Sequence, residues 1–225
     1  MTTPKTVSFF QKRLAKLSKP LIWGLSISVL LLAIFAKLSE DLLYNELGTF
    51  DRIVGEFIRG SATPSLTRVA IIITDLGSAY IEIGLIFIVG SVLWFRLKHA
   101  WETVLLGISL TGAWLLNILL KELFQRGRPE IIFLVKADGH SFPSGHAMVA
   151  TAFYGVLGYL LWSNLRNHAK PSWHSVVFTF ALILAIGISR VYLGVHFASD
   201  VIAGYAAGGV WAIACIVSLK EIRNT

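Results

Sequence analysis

The sequence predicts an all-α membrane protein: a six-span helical bundle with an outer amphipathic or surface helix between spans one and two. Three observations lead there. Residues of the set AVILMFWYC make up 55% of the 225-residue chain and charged residues only 15%, and mean hydropathy is +0.69, too apolar for a soluble domain of this length. The apolar residues gather into runs close to the roughly 20 residues that cross a bilayer as a helix. The net charge of +7 is unevenly distributed along those runs. The single cysteine, Cys215, excludes an internal disulfide and sits between Ala214 and Ile216, an inert apolar setting.

The first run, about Pro20 to Ala36, follows Lys5, Lys12, Arg13, Lys16 and Lys19, a basic flank that keeps the N-terminus cytoplasmic. It carries only a weak small-residue cleavage pattern and is expected to be retained. Residues 40 to 64 turn polar and acidic, yet Leu47, Phe50, Ile53, Val54 and Phe57 recur at helical spacing, which predicts a short amphipathic helix at the membrane surface. Residues 66 to 76 extend this surface element. The second span runs from about Ala79 to Phe95, although the apolar stretch 67–95 is too long for one untilted crossing and leaves its start open. The third span covers about Thr103 to Lys121. The fourth begins beside FPSGHAM and reaches about Trp162; Arg166, Lys170 and Pro171 mark an inner loop. Val176 to Ile188 forms the body of the fifth, and Phe197 to about Ser218 the sixth.

Six spans place both termini inside. The inner segments then hold eleven Lys or Arg against Glu102 and Glu221, an excess of +9, and the outer side carries −2. This asymmetry obeys the positive-inside rule. Basicity is thereby explained by topology, and no nucleic-acid partner is expected. Trp23, Trp94, Trp101, Trp162 and Trp173 fall near predicted boundaries as headgroup anchors. Gly204 and Gly208, four apart in the sixth span, permit close helix packing, either inside the bundle or between copies.

Three polar clusters remain once topology is drawn: Lys121 with Arg128 and Pro129 in KELFQRGRP; Pro143, Ser144, Gly145 and His146; and Ser189, Arg190, His196 and Asp200 in SRVYLGVHFASD. The third span ends outside, the fourth starts outside, and the turn between the fifth and sixth is outside. Clusters up to 79 residues apart therefore reach one membrane level. Charged groups beside apolar spans must be solvated or paired, and a shared polar cavity achieves this.

Lys121, Arg128 and Arg190 supply three cations for an anion with several oxygens, which points to phosphate. Pro143 and Ser144 form a helix entrance, where Ser can cap and free N–H groups can meet a phosphoryl oxygen; Gly145 allows close backbone approach. His146 and His196 provide an acid and a nucleophile, since in-line phosphoryl transfer needs groups at both ends of the transferring phosphorus. Asp200 lies four residues after His196 and shares its helix face, positioned to hold one imidazole nitrogen protonated. Taken singly, each of these residues reads as a snorkelling cation, a loop-to-helix transition, a packing histidine or a helix N-terminal acid. On one face they read as a catalytic centre. His99, His168 and His174 lie near the inner side, His140 lacks an assigned partner, and no metal-ligand spacing or cofactor motif appears.

At these clusters the chain resembles the phosphatidic acid phosphatase type 2 superfamily, especially its compact bacterial members of the phosphatidylglycerophosphatase B and undecaprenyl-diphosphate phosphatase kind. KELFQRGRP, PSGH and SRVYLGVHFASD match the three signature motifs in order, and the resemblance covers roughly residues 66 to 218. It implies residues 1–19 as a cytoplasmic segment, 20–218 as an integral membrane lipid-phosphatase domain and 219–225 as a cytoplasmic tail. It implies that His196 attacks phosphorus to form a phosphohistidine, that Asp200 orients it, and that His146 protonates the leaving oxygen and then activates water. Lys121, Arg128, Ser144, Gly145 and Arg190 match phosphate-binding positions. The family is metal independent and vanadate sensitive, so neither metal nor cofactor is expected.

A long tail can stay among the spans while its phosphate enters the polar pocket, so the expected partner is a membrane lipid phosphate or diphosphate. The expected reaction is hydrolysis of undecaprenyl diphosphate to undecaprenyl phosphate and inorganic phosphate, with phosphatidylglycerophosphate or phosphatidate as alternatives. A transporter of phosphate-bearing ligands is the contrasting class, but it leaves His146, His196 and Asp200 less well explained. The expected location is a bacterial cell or inner membrane, with the active site on the outer face; any oligomeric partner stays open.

Overall fold

The computed structural model describes residues 19–131, 133–167 and 173–224, and every regular element among them is helical. The chain is a multi-pass membrane helical bundle. Its helices are α1 (Lys19–Leu43), α2 (Gly48–Arg59), α3 (Pro64–Leu76), α4 (Ala79–Ser91, continued by a wider π turn over Val92–Arg96), α5 (Ala100–Phe124), α6 (Gly145–Asn167), α7 (Trp173–Tyr192) and α8 (Ala198–Asn224). The basic residues Lys5, Lys12, Arg13 and Lys16, and His168, Lys170 and Pro171, lie outside the described residues, as does nearly all of the expected N-terminal segment.

Five helices among the described residues, not the six expected, are long and apolar enough to cross a membrane: Leu21–Leu43, Ala79–Arg96, Ala100–Phe124, Trp173–Tyr192 and Ala198–Glu221. The expected fourth span falls on α6, 23 residues long but diluted by His146, Thr151, Tyr154, Tyr159, Ser163 and Asn164. Its position explains the dilution. Helix α6 packs against α5, α7 and α8, and Ala147, Met148, Ala150, Ala152, Phe153 and Val156 are all fully buried. Its neighbours are protein, which tolerates hydroxyls and amides that lipid does not. Outer faces of the other helices behave oppositely: Trp23, Val29 and Leu30 of α1, Phe87 and Ile88 of α4, and Phe178 and Phe180 of α7 are exposed, an apolar girdle suited to acyl chains.

The Gly204–Gly208 pair packs inside the bundle. A Cβ on Gly204 would stand 2.7 Å from the Ser144 carbonyl oxygen, and one on Gly208 would collide with the Met148 carbonyl oxygen. Bare glycine backbone lets α8 approach α6 this closely.

The ambiguous stretch 67–95 resolves into two helices. Thr63 caps α3 by accepting from the Leu66 amide at 3.2 Å, with Pro64 at the first helical position. The chain breaks at Gly77–Ser78, where a Cβ on Gly77 would lie 2.6 Å from Ile186 Cγ2. Helix α4 then starts the second span at Ala79, as expected.

Helix α2 turns a largely polar face inward and leaves most of its apolar residues exposed. Leu47, Asp51 and Gly55 are buried, whereas Phe50, Ile53 and Phe57 are exposed. An acid therefore leads the inward face, and its partners lie in the site.

Candidate active site

Helix α5 ends at Gln125, whose left-handed φ of +47° turns the chain out of the helix. The following loop, residues 126–144, returns across the end of α5, pinned by Ser141 N–H to the Arg126 carbonyl at 2.8 Å and Ser141 Oγ to the Gly127 carbonyl at 2.7 Å. On the other side, α7 ends at Tyr192 and Gly194 adopts φ +80°, the left-handed conformation that closes helix C-termini. Its N–H donates to the Val191 carbonyl at 3.1 Å. This short reversal delivers His196 to the start of α8.

The three clusters meet here. Lys121 donates to the His140 carbonyl at 2.8 Å. Arg128 Nη1 reaches the Val195 carbonyl at 2.7 Å, Nη2 the Asp138 carbonyl at 2.7 Å, and Nε the Gly139 carbonyl at 3.0 Å; burial draws its guanidinium below the usual range. Arg190, 5% exposed, donates to Thr74 Oγ1 of α3 at 2.8 Å, while its Nε has no partner. His146 on the first turn of α6 lies within electrostatic reach of Arg190, His196, Lys121 and Arg128. Ser144 is fully buried; its N–H donates to the Asp200 carbonyl at 2.9 Å and its carbonyl starts α6 through Met148 N–H. Its hydroxyl was expected to cap α6, but Oγ has no partner and remains free within the site. Gly145 sits against α5, where a Cβ would lie 2.9 Å from Asn117 Oδ1.

His196 is 2% exposed, between the spans of α7 and α8. Nδ1 lies 3.4 Å from Asp200 Oδ2 and Nε2 3.4 Å from Arg128 Nη1. Burial lowers its pKa to about 4; Asp200 opposes that fall, and the cations Arg190 and Arg128 add to it. The ring is therefore neutral near pH 7. A carboxylate only accepts, so the proton belongs on Nδ1 and the lone pair on Nε2, beside the cation cluster.

Asp200 stands at the third position of α8 and accepts from the Phe197 N–H at 2.9 Å, half of a capping box. Its other oxygen accepts from Arg126 Nη1 at 2.6 Å. Arg126 also donates to Ser199 Oγ at 2.8 Å and to Asp51 Oδ2 at 2.7 Å, and lies 4.1 Å from the Phe197 ring centroid. Asp51 in turn accepts from Ser199 N–H at 2.9 Å and Ser199 Oγ–H at 2.7 Å.

Sequence reasoning missed Asn117, Arg126, Thr74 and Asp51. Asn117 had a signal, standing one turn before Lys121 in an apolar helix, and it donates to the Pro143 carbonyl at 3.2 Å. Arg126 had one too, as the first arginine of QRGRP. Thr74 and Asp51 had none, because each acts through a partner more than 70 residues away.

Beneath His146 a cavity of about 330 Å³ opens between α4, α5 and α6, lined by Gly77, Glu82, Trp114, Asn117, His146 and Val149 among others. Glu82 is buried there and its Oε1 has no hydrogen-bond partner. Among the described residues no three His, Cys, Asp or Glu side chains are grouped as metal ligands.

Comparison with known proteins agrees with this geometry. Residues 102–223 match the PAP2 superfamily. The chain is 38% identical over 145 residues to phosphatidylglycerophosphatase B of Bacillus subtilis (strain 168), covering 64% of this chain and 71% of that one. It is 31% identical to an undecaprenyl-diphosphatase of Sulfolobus acidocaldarius, covering 46% of this chain and 50% of the relative. A crystal structure of a transmembrane PAP2-type phosphatidylglycerolphosphate phosphatase from Bacillus subtilis superposes with a TM-score of 0.81 at 31% identity, over 87% of this chain and 96% of that one. Three motif clusters gathered at one end of a membrane bundle, with this likeness in sequence and fold, make the chain a member of the PAP2 superfamily, a membrane lipid phosphatase related to bacterial phosphatidylglycerophosphatase B.

Proposed function

We propose that the chain hydrolyses the terminal phosphate of phosphatidylglycerophosphate or a close glycerolipid phosphate through a phosphohistidine on His196. The observation that carries the reaction is the neutral His196 ring, backed by Asp200 at Nδ1 and turned with Nε2 toward Arg128. Nε2 attacks phosphorus; the N–P bond forms as the P–O bond to the lipid alcohol breaks, and His146, held protonated by the negative charge of the bound phosphate, gives that proton to the departing oxygen. His146 then takes a proton from water, whose oxygen displaces His196 and releases inorganic phosphate. Lys121, Arg128 and Arg190, with Ser144 Oγ and the backbone at Gly145, surround the phosphoryl oxygens as charge shifts in the transition state. Asp200 stabilises the imidazole as it becomes cationic.

The likeness to the Bacillus subtilis phosphatidylglycerophosphatase favours this substrate over undecaprenyl diphosphate, reversing the order expected from sequence alone. Undecaprenyl diphosphate remains the second reading, favoured by the Sulfolobus relative. The cavity beneath His146 suits the first part of either lipid, since its exposed wall at Trp114 and Ile83 faces the side where acyl chains would lie. We further infer six crossings with α6 as the fourth, residues 1–19 and 219–225 cytoplasmic, residues 20–218 as the catalytic membrane domain, and the site on the outer face of a bacterial membrane. The inner excess of Lys and Arg supports this orientation.

Purified protein assayed with phosphatidylglycerophosphate, phosphatidate and undecaprenyl diphosphate in chelator-treated detergent should release phosphate, fastest from the first. Equal inactivity of wild type and His196→Ala across the panel would overturn the reading; a faster rate on undecaprenyl diphosphate would install the second.

A further inference from the structure

We infer that Asp51 and Arg126 form a positioning relay through which α2, a helix outside the matched family region, sets the orientation of Asp200 and hence of His196. The inference rests on the proposed roles of His196 and Asp200. Three observations carry it. First, Arg126 bridges two carboxylates, 2.6 Å from Asp200 Oδ1 and 2.7 Å from Asp51 Oδ2, with the Asp51 and Asp200 side chains 1% and 0% exposed. Such pairs hold fixed geometry because little water competes for them. Second, every strong donor to Asp200 assigns one oxygen to one task. Arg126 takes Oδ1, Phe197 N–H takes Oδ2 at 2.9 Å, and Oδ2 is thereby the oxygen facing His196 Nδ1. Third, Asp51 fastens both neighbours of that arrangement, accepting from Arg126 and from the Ser199 amide and hydroxyl. It occupies the buried face of α2, where an apolar residue would otherwise be expected, and it lies outside the matched residues 102–223.

Neither residue contacts the reacting atoms in this account, so their effect should appear in transition-state alignment rather than phosphate binding. Vanadate and inorganic phosphate separate the two. Vanadate mimics the in-line state and needs a correctly aimed Nε2, while phosphate is held chiefly by Lys121, Arg128 and Arg190. Asp51→Asn keeps the shape and an oxygen for the Ser199 amide but removes the charge that anchors Arg126. It should lower kcat about 10- to 100-fold, the range for a slight misalignment, and weaken vanadate inhibition by a similar factor. KM and inhibition by phosphate should stay within about threefold. Ser199→Ala removes one link from each relay member, is milder, and should fall in the same direction by a smaller factor. It decides the matter if Asp51→Asn does not fold. Wild-type kcat and vanadate inhibition in the folded variants, or equal weakening of vanadate and phosphate, would overturn the relay. His196→Ala run alongside separates the cases: if it stays active, the catalytic reading itself has failed.

Discussion

The Ser144 amide donates to the Asp200 carbonyl at 2.9 Å, so a residue two before His146 and one four after His196 are joined through backbone. The proposed acid and nucleophile therefore sit on one rigid junction between α6 and α8. Gly204 makes this possible, since a Cβ there would press on the Ser144 carbonyl.

Packing at this junction gives the first prediction. Gly208→Leu should destabilise the bundle by roughly 1–3 kcal/mol, the usual cost of overpacking, and reduce turnover by shifting α6. Thermal unfolding in detergent measures the first effect, and particle size by light scattering should not change. A size shift with unaltered stability would assign the glycines to contacts between copies instead.

Charge behind the nucleophile gives the second. Asp200→Asn preserves shape but no longer stabilises the imidazolium or enforces the Nδ1 proton; the analogous change in a serine-protease triad lowers turnover by about four orders of magnitude. We expect a fall in kcat of at least about 100-fold with phosphate inhibition little changed. A loss confined to KM would contradict the assigned role.

The depressed pKa of His196 gives the third. The folded state holds this ring neutral down to about pH 4, whereas an unfolded histidine protonates near 6.5. Between these values the unfolded chain binds the extra proton, so the ring's stabilising contribution is full above pH 6.5 and is lost as pH falls toward 4. Melting temperatures of wild type and His196→Gln, measured from pH 7.5 to 4.5, should show wild type losing more on acidification. Parallel curves would contradict a buried neutral ring.

Glu82 gives the fourth. A buried carboxyl oxygen without a partner is a cost that an apolar residue of similar size removes. Glu82→Met should raise stability by about 1 kcal/mol or more, read as a higher melting temperature. A lower one would reveal an attractive interaction that the unpartnered oxygen does not display.

Most of the bundle was legible because span length and helical periodicity are local properties. The predicted ends of α5 and α7 and the start of α8 fall within four residues of those observed, and α8 runs six residues beyond its predicted end. The span count differed at α6, where burial against three helices replaced lipid contact and relaxed the demand for apolar residues. The three motif clusters were legible because each is a short run of chemically distinctive residues. Their supports were not. Asp51 looks like any acid in a polar connection until folding sets it against Arg126, 75 residues away. The inward face of α2 was equally illegible, since periodicity locates apolar residues without saying which face meets protein.

Covalent catalysis at His196 requires a phosphorylated enzyme intermediate. The most direct test uses His146→Ala with p-nitrophenyl phosphate, whose leaving group needs no proton, so that phosphoryl transfer proceeds while hydrolysis of the intermediate stalls. Acid-labile, alkali-stable phosphate should accumulate on the peptide containing His196, approaching one per chain. It should be absent when His196 is also replaced by Ala. No trapped phosphate, or phosphate on another residue, would contradict the account.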